Sequence, residues 1–353
     1  MTTTAPPRRL PVTVVTGFLG AGKTSLLRHL LLRSGQRLAV LVNEFGELGI
    51  DGDLLRSCGF CPDQDLDGRL VELANGCLCC TVQEDFVPTM EQLLARADQL
   101  DGILVETSGL ALPEPLIAAF RWPAIRHRTR VHGIVTVVDG EALAGGAVVA
   151  DPDSLEHQRQ QDPSLDHASA IEELFEEQLE VADLVVVSRA DRIDSQGFER
   201  VRARVSAVTR PGTPVVAVER GALDPALALG IDPSGRDRTN EDHDHDHDHE
   251  HSHVAIEALA LELPGSFERD ALERTLLELI RRGGLVRVKG RLWQQGKALP
   301  LQIQAVGPRL DCWYETSPGS AHAPGFELVF LGFQLNRSEI EQRLQELVGS
   351  GPL

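Results

Sequence analysis

Long apolar runs are missing from this sequence. None approaches the ~20 residues that a helix needs to cross a bilayer, so a helical membrane protein is not expected. The opening stretch Met1–Leu10 is polar, holds proline and arginine, and carries no apolar core. It does not read as a secretory leader. Positive charge is also short: 34 Lys and Arg stand against 53 Asp and Glu, a formal net charge of −19. An acidic chain is repelled by phosphate backbones and by anionic lipid, so no nucleic acid and no membrane is expected as a partner. Cysteine is scarce, six in 353 residues, and three of the six crowd into positions 77–80. That is no disulfide framework. It points to metal or redox chemistry in a reducing compartment, hence to a cytoplasmic protein.

What is present suits two domains. Apolar residues make up 42% of the chain, which is ordinary for a globular protein. Near-continuous apolar runs occur at residues 11–16, Leu38–Asn43, Ile103–Thr107, Gly133–Asp139, Leu184–Ser188 and Val215–Glu219. Runs without alternation suit parallel strands covered on both faces. Helical patterns lie between most of them, as in Leu26–Leu32, Glu84–Leu100 and Ala170–Glu180. The expectation is a doubly wound α/β domain over 9–231. Residues 232–253 are almost devoid of apolar side chains and read as a flexible linker. Strand-like Val254–Leu263, helical Phe267–Arg282, strand-like Leu285–Lys289, Leu301–Val306 and Glu327–Leu331, then helical Ser338–Val348 predict a smaller α+β domain of ferredoxin-like type over 254–350.

The first apolar run ends in Gly17-Phe18-Leu19-Gly20-Ala21-Gly22-Lys23-Thr24, followed by Ser25. This is the G-x-x-x-x-G-K-[ST] phosphate loop. Gly17, Gly20, Ala21 and Gly22 let backbone N–H groups face the phosphates, Lys23 reaches the β/γ-phosphates, and the Thr24 hydroxyl suits Mg²⁺. Three further segments end other strands. Asn43-Glu44-Phe45-Gly46 takes the place of a switch loop. In Glu106-Thr107-Ser108-Gly109, Glu106 can hold Mg²⁺ through water and the Gly109 N–H can meet the γ-phosphate. In Ser188-Arg189-Ala190-Asp191, Asp191 can accept both donors of a guanine edge, which adenine does not offer. Each short motif alone also reads as a helix cap. In this order they support a GTPase with Lys23, Glu44, Glu106 and Gly109 in the chemistry.

Two segments suit transition metals. Cys77-Leu78-Cys79-Cys80 offers thiolates from one tight turn, which favour Zn²⁺, Co²⁺ or Cu(I) over Mg²⁺. Burial as small hydrophobes and a redox role are the competing readings. Cys58 and Cys61 form a C-x-x-C of unassigned role, and Cys312 reads as structural. Later, His243, His245, His247, His249, His251 and His253 alternate mostly with acids. Imidazoles on one side of an extended strand can collect metal weakly. The plain alternative is a soluble spacer. His29, His127, His132, His157, His167 and His322 are scattered and read as ordinary residues.

Taken in order, Gly-Phe-Leu-Gly-Ala-Gly-Lys-Thr, Asn-Glu-Phe-Gly, Gly-Cys-Leu-Cys-Cys and Glu-Thr-Ser-Gly resemble the CobW family of metal-centre P-loop GTPases. The resemblance extends over nearly the whole chain. It implies the phosphate-loop role for Gly17–Thr24, switch roles for Glu44, Glu106 and Gly109, and metal ligation by Cys77, Cys79 and Cys80. It also implies a GTP-dependent metallochaperone using GTP, Mg²⁺ and Co²⁺ or Zn²⁺. The expected client is a metalloenzyme, with the cobaltochelatase of aerobic cobalamin synthesis as the leading case. A zinc chaperone or a nitrile hydratase activator of the same family is the near alternative. A metal-storage or sensor protein with a vestigial GTPase is the alternative of another class. One departure stands out. Relatives carry Asn/Thr-Lys-x-Asp where this chain has Ser188-Arg189-Ala190-Asp191, and an arginine can stack on a base face as lysine does.

Overall fold

A computed structural model describes residues 9–43, 70–73, 82–150, 171–230, 256–315 and 322–348. The chain divides into two compact units, one reaching Leu229 and taking in Val306–Arg309, the other holding the rest.

Among the described residues the first unit holds seven strands: Leu10–Thr16 (β1), Leu38–Asn43 (β2), Leu70–Leu73 (β3), Gly102–Glu106 (β4), Thr129–Asp139 (β5), Leu184–Ser188 (β6) and Val215–Ala217 (β7). They form one sheet in the order β3-β2-β4-β1-β5-β6-β7, and every pairing is parallel. The helices are Lys23–Arg33 (α1), Val82–Ala95 (α2), Pro113–Ala119 (α3), Gly140–Ala144 (α4), Ile171–Glu180 (α5), Ser195–Val208 (α6) and Pro225–Leu229 (α7). The doubly wound α/β reading holds.

The apolar runs explain the layering. Alternate residues Val12 and Val14 of β1, Ile103 and Val105 of β4, and Ala39 and Leu41 of β2 join a buried cluster with Phe86, Met90, Leu93 and Leu94 of α2 and Leu116 of α3. The Phe86 ring meets Phe120 edge-on at 5.3 Å. A second cluster joins Val138 of β5 and Val185 and Val187 of β6 to α5 and α6. Because strands β1, β4, β5 and β6 are buried along nearly their whole length, polar residues cluster at their carboxyl ends. Thr16, Glu106, Thr107, Asp139 and Ser188 are all buried there. Val15 of β1 lies beside Glu106 of β4, and Asp139 of β5 beside Ser188 of β6. In open α/β sheets this edge is where ligands sit.

The second unit is antiparallel. Ile256–Pro264 (β8), Leu285–Trp293 (β9), Leu301–Val306 (β10), Arg309–Tyr314 (β11) and Gly325–Phe333 (β12) take the order β11-β10-β9-β12-β8. Strand β12 pairs antiparallel with both β8 and β9. That leaves β8, helix Arg269–Arg281 (α8) and β9 as a β-α-β unit split by a strand, the feature expected of a ferredoxin-like α+β domain. A meander through β10 and β11 extends it, and Arg337–Gln345 (α9) closes it. Leu272, Leu276, Leu279 and Ile280 recur at helical spacing on α8 and pack with Ile340 and Leu344 of α9 on Leu259, Val288, Leu292, Phe326, Leu328 and Phe330. Among the described residues no helix is long and apolar enough to cross a membrane.

Candidate active site

The site begins where β1 runs out. Gly17 has φ 135°, and a Cβ there would lie 2.1 Å from the Val137 carbonyl oxygen. Only glycine permits that approach. Gly22, with φ 100° and ψ 21°, caps α1 and turns the chain into the helix. Leu26, Leu27 and Leu30 then bury the helix against the unit's interior. The first turn of α1 therefore points its N–H groups, with the positive end of the helix dipole, across the carboxyl edge of the sheet.

Lys23 is buried, and its Nζ donates to the Phe18 carbonyl at 3.1 Å. Thr24 Oγ1 lies 3.1 Å and 3.4 Å from the two carboxylate oxygens of Glu106. Two hard oxygen groups side by side, one anionic, next to a phosphate loop suit Mg²⁺, which takes oxygen ligands and keeps waters. Thr107 is locked behind them, its Oγ1 donating to Thr16 Oγ1 at 2.8 Å and its N–H to the Val15 carbonyl at 3.0 Å. Gly109 abuts the phosphate loop: a Cβ would sit 2.6 Å from Leu19 N.

The third motif closes the other side. Ser188 Oγ donates to the Val138 carbonyl at 3.1 Å, and its Cβ lies 3.5 Å from where a Gly22 Cβ would stand. Arg189 adopts the left-handed region with φ 52° and ψ 31°, a costly conformation for a residue with a side chain. Its guanidinium pairs with the Asp139 carboxylate and donates to the Gly20 carbonyl at 3.1 Å. It thus ties the Ser188–Asp191 segment to the phosphate loop. Asp191 is exposed at this rim. The loop after β7 also reaches the cradle, since a Cβ on Gly221 would lie 2.8 Å from the Ser25 carbonyl.

Sequence reasoning missed Asp139 as a site residue. One of its oxygens caps α4, accepting from Glu141 N and Ala142 N at 3.0 Å and 3.2 Å, while the other takes Arg189. The available signal was an Asp ending an apolar strand.

Residues 11–217 match the family described as "CobW/HypB/UreG, nucleotide-binding domain". Residues 256–348 match the "Cobalamin synthesis protein cobW C-terminal domain". The chain belongs to the CobW family of metal-centre P-loop GTPases. Among its relatives is the "Zinc chaperone CobW" of Pseudomonas aeruginosa, 46% identical over 342 residues that span 96% of this chain and 91% of that protein. The "Zinc chaperone CobW" of a Sinorhizobium species is 42% identical over 333 residues, 92% and 93% of the two chains. The "Zinc chaperone YjiA" of Escherichia coli is 28% identical over 343 residues, 94% and 96%.

In this CobW-family chain the described residues include the phosphate loop, Glu106–Gly109 and Ser188–Asp191. Glu44, Cys58, Cys61, Cys77, Cys79, Cys80 and the six histidines His243–His253 lie outside them. Among the described residues no three His, Cys, Asp or Glu side chains group to hold a metal ion. Cys312 is the free cysteine described. Burial first, then a hydrogen bond with Glu273, push its thiol up to about 12. The thiol stays protonated near neutral pH, which suits a structural residue. Of the scattered histidines, His157 and His167 lie outside the described residues. Desolvation lowers the His29 pKa, and His322 stacks on Trp293 at 4.5 Å.

Proposed function

We propose that this CobW-family GTPase is a cytoplasmic zinc chaperone, which loads Zn²⁺ and hands it to a client metalloenzyme under the control of GTP hydrolysis. The observation that carries the nucleotide part is the Thr24 hydroxyl held against the Glu106 carboxylate beside buried Lys23. In this reading Gly17–Thr24 and Ser25 cradle the phosphates and Lys23 neutralises charge growing on the β/γ oxygens. Thr24 and Glu106 hold Mg²⁺, directly and through water. The Gly109 N–H meets the γ-phosphate, and Glu44 closes over it from the switch segment. Ser188, Arg189 and Asp191 select guanine. Phosphoryl transfer needs little beyond such positioning and charge compensation.

Cys77, Cys79 and Cys80 are the proposed tight zinc ligands, and His243–His253 a weak collecting arm. Residues 9–231, 232–253 and 254–350 serve as GTPase domain, arm and C-terminal domain. Zinc replaces cobalt as the leading cargo for two reasons. Relatives covering more than nine-tenths of the chain are named zinc chaperones. A thiolate site also prefers Zn²⁺ to Co²⁺ at equal concentration. Delivery of cobalt to a cobaltochelatase becomes the second reading, favoured by the family name of the C-terminal match.

The test is GTP turnover with Mg²⁺, alone and with Zn²⁺ or Co²⁺ added at buffered free concentrations. Zinc is expected to change turnover in the wild type and not in the Cys79→Ser, Cys80→Ser double variant. ATP should not substitute. A response to cobalt at lower free concentration than zinc would restore the cobalt reading, and no response to either metal would favour storage.

A further inference from the structure

One helix grips the phosphate cradle at two points. Phe175 and Gln178 stand three residues apart on α5 and so share a face. The Phe175 ring lies 6.0 Å from that of Phe18 in the phosphate loop. Gln178 is 1% exposed, and its Nε2 donates to the carbonyls of Gly109 at 3.4 Å and Ala111 at 3.2 Å. The residue's own backbone is pinned, because its carbonyl accepts Thr136 Oγ1 of β5 at 2.9 Å.

The segment so held is a tight turn. Ala111 N donates to the Ser108 carbonyl at 3.1 Å, and Leu110 N to Ser108 Oγ at 3.4 Å. On its other side Gly109 abuts Leu19 so closely that a Cβ would meet backbone at 2.6 Å. The turn is therefore clamped between the phosphate loop and one buried amide. The amide's orientation is set by the turn alone. Gln178 Oε1 finds no donor among the described residues, yet a flip would aim it at two carbonyl oxygens. A buried acceptor without a partner is costly and calls for a reason.

We infer that Gln178 is a positioning residue for γ-phosphate recognition: by holding the Gly109 and Ala111 carbonyls it keeps the Gly109 N–H aimed at the γ-phosphate. This rests on the GTPase reading above, in which Gly109 takes that role. GDP has no γ-phosphate, so the clamp matters for GTP and not for GDP. A residue that merely filled space would affect both nucleotides alike.

The experiment uses the full chain as wild type, Gln178→Met and Gln178→Asn. Gln178→Met keeps the volume and removes the donor. Gln178→Asn keeps the donor but draws it back, and serves should the Met variant not fold. Affinities for a non-hydrolysable GTP analogue and for GDP are measured with Mg²⁺, together with kcat. Loss of one buried donor is expected to lower the analogue-to-GDP affinity ratio about tenfold in Gln178→Met, and kcat by a similar factor. GDP affinity should stay within about twofold of wild type, and Gln178→Asn should fall between. An unchanged ratio, or equal weakening of both nucleotides, overturns the role of Gln178 while leaving a working GTPase. A wild type that hydrolyses no GTP overturns the GTPase reading and this inference with it.

Discussion

The two sheets place their polar residues differently. In the parallel sheet, strands β1, β4, β5 and β6 are buried along nearly their whole length and end in Thr16, Glu106, Asp139 and Ser188, all buried at one edge. In the antiparallel sheet one face closes on α8 and α9 around Leu276, Phe326 and Phe330. Its neighbouring strand ends point in opposite directions, so its carboxyl ends are shared between two edges. Parallel strands bring carboxyl ends together by construction, whereas antiparallel strands disperse them. The first unit can thus assemble a site from residues as far apart as Lys23 and Ser188, while the second is built around one buried apolar face.

The strongest test of that contrast is Lys23→Ala. It should lower GTP binding or hydrolysis by roughly 10²-fold, as loss of a cation at a charged transition state does, with little change in thermal unfolding. Leu276→Ala should do the reverse. Leu276 is fully buried in the helical face of the second unit, so about 2–5 kcal/mol of stability should be lost on denaturant unfolding. GTP turnover per folded molecule should stay constant. If Leu276→Ala reduced turnover at full folding, the division between the sheets would be wrong.

Asp139→Asn sharpens the picture within the first unit. Asparagine retains a capping oxygen for α4 but loses the ion pair with Arg189. The Arg189 side chain is about one-third exposed, so solvent screening leaves about 1 kcal/mol at stake, or about fivefold in nucleotide affinity. GTP and GDP should weaken equally, in contrast to the Gln178 variants. The smallest effect belongs to Cys312. With its thiol pushed up to about 12, only about one part in ten thousand is thiolate at pH 8. Mass mapping after alkylation at that pH should find Cys312 unmodified in the folded protein and modified after unfolding.

Much of the first unit was legible because its chemistry leaves few choices of residue. A phosphate loop needs glycine at positions such as Gly17, where the backbone touches Val137. Buried parallel strands need unbroken apolar runs. The edge elements were harder to see. Leu70–Leu73 is four residues with Glu72 among them, and as an edge strand it pairs on one side alone. Arg309–Tyr314 also lies at an edge, and Arg309 and Asp311 interrupt its apolar residues, so it carries no long continuous run. In α3, Pro113 and Pro115 stand within the first turn, where a missing N–H costs little. Gln178 was invisible for another reason. In sequence it is one polar residue among glutamates, and its partners Gly109 and Ala111 lie 69 and 67 positions away.

If GTP hydrolysis governs zinc delivery as proposed, nucleotide state must control metal affinity. The most direct measurement is the zinc affinity of the full chain, in a competing chelator, with Mg²⁺ and either a non-hydrolysable GTP analogue or GDP. The account predicts tighter zinc with the analogue by at least fivefold, on the order of ordinary coupling between sites. By linkage, zinc should tighten the analogue by the same factor. Equal zinc affinity in the two nucleotide states would contradict the account, leaving a GTPase and a metal site that share a chain without a delivery mechanism.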